Sequence, residues 1–309
     1  MVVHLPVLLQ EVVDGLAPRV GETILDATVG SGGHSEALCR AIGGDATFIC
    51  LDADEDALAR STKRLADCRC RFLFYRTNFR DLDTALDSFG TQKVNRALFD
   101  LGMSSEQLEE SSRGFSFQRD EPLLMTFHKI PPAEDGSAPF TKGRMPEGVI
   151  TARTIVNEWG EETIATILES YGEEKQARRI ARRIVEARLH KPITTTLELA
   201  AVVESVVKRK GKIHPATKTF QALRIAVNDE FQGLKDGLLK AWEKLVPHGR
   251  IAVIAFHSIE DRTVKDFFRE KSKAGEGVLI TKKPIVPTAE EIQKNPRSRS
   301  AKLRIIEKV

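Results

Sequence analysis

Only four cysteines, Cys39, Cys50, Cys68 and Cys70, occur in 309 residues. They are too few for a disulfide framework, and none pair as a CxxC metal knuckle, so they read as buried or surface thiols. No apolar run approaches the roughly 18–20 residues of a membrane span. The start, Met1-Val2-Val3-His4-Leu5-Pro6, lacks the basic n-region and apolar core of a signal peptide. A reducing, cytoplasmic setting is the expectation. Internal repeats are absent, and no metal site with convincing spacing is visible. What is there is ordinary globular composition, 41% hydrophobic and 29% charged, in a chain long enough for about two domains and a large core.

The net charge of +3 hides an asymmetry. Residues 1–172 carry 17 Lys and Arg against 27 Asp and Glu, whereas residues 173–309 carry 30 against 17. A basic half of this kind suits a polyanionic partner as well as a solvated surface.

Thr23 to Val29 reads as a short buried strand entering a glycine turn, followed by a helix from about His34 to Ile42. Ala46 to Leu51 is a second strand ending at Asp52, Phe72 to Tyr75 a third, and Ala97 to Phe99 a fourth ending at Asp100, with helices near 57–66 and 81–88. Strands alternating with short helices imply βαβ units and a parallel sheet. Residues 131–148, with four prolines and three glycines, interrupt the pattern as a loop. A helical stretch follows to Val207, with Thr195 and Glu198 as a capping box. Apolar residues from Phe220 to Leu245 recur at helical steps as one long amphipathic helix. Arg250 to Phe256 resumes the strands, and runs 278–282 and 302–306 are expected to pair antiparallel. The expected organisation is an α/β domain of 1–104 plus 217–309, interrupted by a helical domain of 105–216.

Gly30-Ser31-Gly32-Gly33-His34 opens a helix after the first strand, where glycines allow positive φ and close approach to a ligand. Asp52, 22 residues after Gly30, is placed to accept hydrogen bonds from a ribose diol. Asp26 and Asp52 together suit a cationic, phosphate-free nucleoside better than a pyrophosphate, which points to S-adenosylmethionine rather than nicotinamide. Asp100 closes the fourth strand over the same crevice, to face the cofactor, hold the acceptor or cap a turn. Phe79 is placed either beside a purine or in the core.

Six blocks, in order, then resemble the bacterial small-subunit rRNA cytosine-N4 methyltransferases (RsmH, also called MraW). They are His4 to Leu9, Leu25 to Ser35, Asp100 to Phe117, Tyr171 to Glu174, His214 to Arg224, and Phe256 to Arg262. The resemblance implies a class I S-adenosylmethionine-dependent methyltransferase fold, Rossmann-like, with an inserted all-helical domain. It implies methylation of the exocyclic N4 of one cytidine in 16S rRNA, in the decoding region of the small ribosomal subunit. Cofactor contacts carry over to Gly32, Gly33, His34, Asp52, Phe79, Asp100 and Gln107, the last on the resemblance alone, and Gly30 joins them from the turn. One block departs: Leu124-Met125-Thr126-Phe127-His128 stands where the family usually has Asp-Met-Arg-Met-Asp.

Attack on the methyl group requires the amine held within about 3–3.5 Å and aligned, and acceptors for the amino protons disperse the growing charge. Asp100 and His257 are the candidate catalytic residues, with Glu260 or Asp261 positioning His257. The alternative for the 257–261 segment is a helix N-terminus capped by Ser258. From Glu173 to Arg188 a helix is expected with Ala177, Ile180, Ala181 and Ile184 on its apolar stripe and Arg178, Arg179, Arg182 and Arg183 on another side, Glu173 and Glu174 sitting at its positive end. With Lys208, Arg209, Lys210, Lys212, Lys218 and Arg224, this makes a candidate rRNA backbone track. Lys294, Arg297, Arg299, Lys302 and Arg304 offer a second contact. A methyltransferase with another RNA or small-molecule acceptor, and a non-catalytic rRNA-binding assembly factor of the same fold, stay open as readings, as does a homodimer.

Overall fold

The computed structural model describes residues 5–102, 112–127, 149–209, 211 and 214–309. Gln107, His128, the 131–148 segment, Lys210 and Lys212 lie outside the described residues. The chain divides into two compact units, Met1–Ser104 with Phe231–Val309, and Ser105–Glu230.

The first unit is a seven-stranded sheet of β1 (Thr23–Asp26), β2 (Thr47–Asp52), β3 (Arg71–Arg76), β4 (Val94–Asp100), β5 (Leu245–Ala255), β6 (Gly277–Leu279) and β7 (Lys302–Lys308). Their spatial order is β3-β2-β1-β4-β5-β7-β6. The first five are parallel, and β7 runs antiparallel to both β5 and β6. This is the expected class I methyltransferase sheet. It carries α1 (Leu9–Leu16), α2 (Gly33–Ile42), α3 (Glu55–Leu65), α4 (Leu82–Ser88), and later helices described below.

Successive strand residues point to opposite faces, and both faces are buried here, which is why the strands read as continuous apolar runs. Leu25, Ile49, Phe99 and Val253 enter one core with Leu82, Leu238 and Phe268. Their neighbours Ile24, Phe48, Leu98 and Ile254 enter the other, with Leu16 and Leu38. All four cysteines are free, and three of them are buried.

The second unit is helical, with α5 (Ala152–Glu158), α6 (Glu161–Gly172), α7 (Ala177–His190), α8 (Thr196–Glu204) and α9 (Thr217–Asn228). The expected capping box of α8 is present, with Thr195 accepting from the Glu198 amide and Glu198 reaching back. The unit ends at Glu230 rather than 216 because α9 lies on α6. A Cβ on Gly172 would come within 2.7 Å of the Lys218 carbonyl oxygen, and Gln221 donates to the Tyr171 carbonyl.

The expected helix from 220 to 245 is two helices. Asp229 adopts φ 47°, closing α9, and α10 (Glu230–Lys244) restarts at once. The apolar period runs on across this single left-handed residue, so periodicity does not reveal the break. The arginine helix also begins later than expected. Glu173 is the left-handed C-cap of α6, α7 starts at Ala177, and Glu174 turns inward to accept from the Gln176 amide.

The described part of the departing block is packed inside the helical unit. Leu124, Met125 and Thr126 are buried, and Phe127 stacks on Phe115 at 5.9 Å. Asn228 brackets the segment, donating to the Met125 carbonyl and accepting from the Phe127 amide. Ionised side chains at buried positions there would need partners to offset desolvation.

Candidate active site

β1 is followed on one side of the sheet by β2 and β3, and on the other by β4. Their carboxyl ends therefore flank a topological switch point, where open α/β sheets bind ligands. Asp26, Asp52 and Asp100 are the last residues of β1, β2 and β4.

The glycine turn leads from β1 into α2. Gly32 is the left-handed N-cap residue of α2 at φ 80°, a conformation that costs L-residues with a Cβ. Gly33 is required for a different reason: a Cβ there would lie 2.4 Å from Pro6 Cγ, so the N-terminal segment covers its bare Cα. The Asp52 carboxylate accepts from the Gly30 amide at 3.0 Å and from the Asp54 amide at 2.9 Å. Each oxygen keeps a second lone pair, oriented by those bonds. Burial pushes Asp52 up to about 6 despite them.

Asp26 proves to be an internal support. It is buried, accepts from the Ser35 hydroxyl at 2.5 Å and from the Thr28 amide at 3.3 Å, and is raised by burial to about 6. The Thr28 hydroxyl in turn accepts from the Asp100 amide at 2.7 Å, tying the glycine turn to the end of β4. Asp100 Oδ2 lies 3.4 Å from His34 Nδ1. Its Oδ1 is buried with no hydrogen-bond partner. Burial, with the Glu260 carboxylate nearby, pushes Asp100 up to about 7. Phe79 is half-buried, edge-on to Phe99 at 5.7 Å, and is seated where Gly237 has no side chain.

His257 is itself the N-cap of α11 (Ser258–Lys273), in place of the expected Ser258. Its Nδ1 accepts from the Glu260 amide, and Glu260 reaches back to the Phe256 and His257 amides. Nε2 lies 3.1 Å from Glu260 Oε1 but forms no aligned hydrogen bond. Asp261 does not position His257, because Arg304 and Lys302 hold it at 2.7 and 3.0 Å. Two residues were missed in the sequence. The Ser31 hydroxyl, within the glycine turn, is buried and unpartnered, and so are two guanidinium nitrogens of Arg60, whose charge lowers Asp52. A small hydroxyl among glycines and an arginine on a polar helix carry no sequence signal.

These observations fit S-adenosylmethionine. The crevice joins the Asp52 carboxylate, which keeps lone pairs to spare, an unpartnered carboxyl oxygen on Asp100 and an orphaned serine hydroxyl, while its acidic character favours a cation. Among the described residues, no cluster of three His, Cys, Asp or Glu side chains is arranged to hold a metal ion.

Of the candidate RNA residues, Arg178, Arg179, Arg182 and Arg183 are exposed on α7. Arg182 lies 3.5 Å from Glu161 and Arg183 lies 3.4 Å from Glu186, surface pairs of small worth that a phosphate can displace. Lys218 is exposed, with Nζ on the Glu173 carbonyl at 2.8 Å. Arg224 does not join this surface. Two 2.9 Å hydrogen bonds commit its largely buried guanidinium to Glu230. In the tail, Lys302 and Arg304 are committed to the largely buried Asp261, whereas Lys294 pairs with Glu290 on the exposed surface.

A protein named ribosomal RNA small subunit methyltransferase H from Persephonella marina is 44% identical over 312 residues, covering 100% of both chains. Proteins of the same name from Thermomicrobium roseum and Carboxydothermus hydrogenoformans are 44% and 42% identical over 99% of this chain, and over 94% and 98% of their own. The model of the MraW methylase family matches residues 1–309, and with relatives this similar along their whole length, the chain belongs to that family.

Proposed function

We infer that this protein is an S-adenosylmethionine-dependent methyltransferase that modifies the exocyclic N4 of one cytidine in 16S rRNA of the small ribosomal subunit. The observation that carries this reading is the buried, unpartnered Oδ1 of Asp100 at the switch point, in a crevice with the Asp52 carboxylate, which keeps lone pairs to spare. When bound, the cofactor supplies an activated methyl group. Asp52, His34, Phe79, the Gly30–Gly33 turn and, by resemblance, Gln107 would bind and orient it. Asp100 Oδ1 would accept a hydrogen bond from the N4 amine, holding its lone pair toward the methyl group and dispersing the charge that develops on nitrogen. His257 and Glu260, locked together at the start of α11, would line the wall beside it. The exposed arginines of α7, with Lys218, would track the phosphate backbone, and readout of the base would rest on stacking and on hydrogen bonds to its Watson–Crick edge. Acting on the small subunit, the protein would function in the cytoplasm.

The test is methyl transfer from labelled S-adenosylmethionine to small subunits lacking the modification, with the labelled nucleoside identified by mass. N4-methylcytidine at one site, lost in Asp100→Ala while small-subunit binding persists, is the expected result. Label on another base or on no RNA would overturn it, and tight rRNA binding without turnover would make the protein an assembly factor.

A further inference from the structure

The His34 ring is held at one end by the backbone and faces Asp100 at the other. Its Nε2 lies 2.9 Å from the Val7 carbonyl oxygen, which can only accept, so that nitrogen carries a hydrogen. In the neutral ring Nδ1 then offers a lone pair, and it faces Asp100 Oδ2 at 3.4 Å. An ionised carboxylate also offers lone pairs, so the two groups repel unless a proton lies between them. The other carboxyl oxygen, Oδ1, has no hydrogen-bond partner in its buried position. Other charges bear on the pair from the surrounding elements. Glu260 on α11 disfavours ionisation of Asp100, and Asp100 in turn disfavours that of Asp26 at the end of β1. Asp26 and Glu291, on α12 (Ala289–Lys294), favour a charged His34, and Arg64 on α3 disfavours it. Burial holds His34 below its ordinary value, while Asp100 is raised to about 7. A neutral Asp100 carboxyl can place its hydrogen on Oδ2, toward the Nδ1 lone pair 3.4 Å away.

We propose that Asp100 and His34 share one dissociable proton that the sulfonium charge of S-adenosylmethionine expels, so that the pair distinguishes the charged cofactor from its neutral product, S-adenosylhomocysteine. This rests on the reading of the crevice as the cofactor site. A positive charge close to a carboxyl group favours its ionised form. Once the methyl group has left, the thioether is neutral, the carboxylate has lost its counter-charge, and a proton returns from solvent to the pair. Retention of the product then weakens relative to the substrate cofactor. The α-amino and carboxylate groups are common to both ligands, so their own titrations cancel in the ratio of affinities.

Isothermal titration calorimetry of the full chain tests this without turnover. S-adenosylmethionine, S-adenosylhomocysteine and an analogue bearing a protonated amine in place of the sulfonium methyl would each be titrated between about pH 5.5 and 8.5, in buffers of different ionisation enthalpy. Near pH 6, the two charged ligands are expected to release about one proton more than S-adenosylhomocysteine. The affinity ratio of S-adenosylmethionine to S-adenosylhomocysteine should rise toward tenfold per pH unit below about pH 6.5 and level off above about pH 8. In Asp100→Asn the extra proton and the slope of the ratio should both vanish. Equal proton release by charged and neutral ligands in the wild type would overturn the proposal and leave the cofactor site standing. A wild-type slope retained in Asp100→Asn would overturn it in the same way. Failure of all three ligands to bind would overturn the site itself, and if Asp100→Asn does not fold, the wild-type comparison decides alone.

Discussion

Asp26 and Asp52 look alike in the sequence, each an acid closing a strand, yet their roles differ. Asp52 is held by two amides with lone pairs to spare, whereas Asp26 is sealed beneath the turn, where Ser35 and Thr28 bind it. Alternation along a strand says which face a residue takes, not how deeply a following loop covers it. A stability measurement tests the buried position of Asp26. Asp26 titrates at about 6 in the folded protein, above its ordinary 3.8, so the folded state binds its proton more tightly. Its stabilising contribution is complete below about pH 4 and is lost as the pH rises through 6. In Asp26→Asn that loss cannot occur. The unfolding free energy of the variant relative to wild type should therefore improve by on the order of 2–3 kcal/mol between pH 4 and pH 7. Denaturant titrations across that range check it, and a flat difference would contradict the buried position.

At the scale of elements, most of the sheet is legible because strands buried on both faces show as short apolar runs punctuated by acid or glycine. The antiparallel pairing of the last strands and the capping box of α8 are legible too. The helix running from 220 to 245 is not, since a single left-handed residue, Asp229, ends one helix without disturbing the apolar period. That break assigns α9 to the helical unit and α10 to the sheet. The close contact of α6 with α9 gives the prediction at this scale. Gly172→Ala places a Cβ against the Lys218 carbonyl, a backbone atom that cannot rotate away, and should cost about 1–3 kcal/mol. Alanine's better helix propensity offsets less than about 1 kcal/mol of that. Denaturant unfolding measures the loss, and hydrogen exchange should place it in α6 and α9.

For the whole molecule, the division of charge along the sequence follows the division of structure only in part. The exposed arginines lie on α7 of the helical unit, whereas Arg224, Lys302 and Arg304 are paired internally. If Arg178, Arg179, Arg182 and Arg183 each neutralise one phosphate of single-stranded rRNA, the slope of log affinity against log salt falls by about 3 when all four are changed to glutamine. Filter binding of 16S rRNA at several salt concentrations measures this. A slope unchanged by the substitutions would remove α7 from the RNA interface.

The amino-acid sequence by itself determined the alternation of strands and helices, the glycine turn, the strand-end acids and the family, because these depend on local spacing and on residues close along the chain. Only the tertiary structure decided which acid is covered and which is left with an oxygen free, which arginines are spent on carboxylates, and where one unit ends. Those outcomes depend on burial and on partners distant in sequence, such as Val7 against His34 and Arg304 against Asp261, and no local pattern encodes such a meeting.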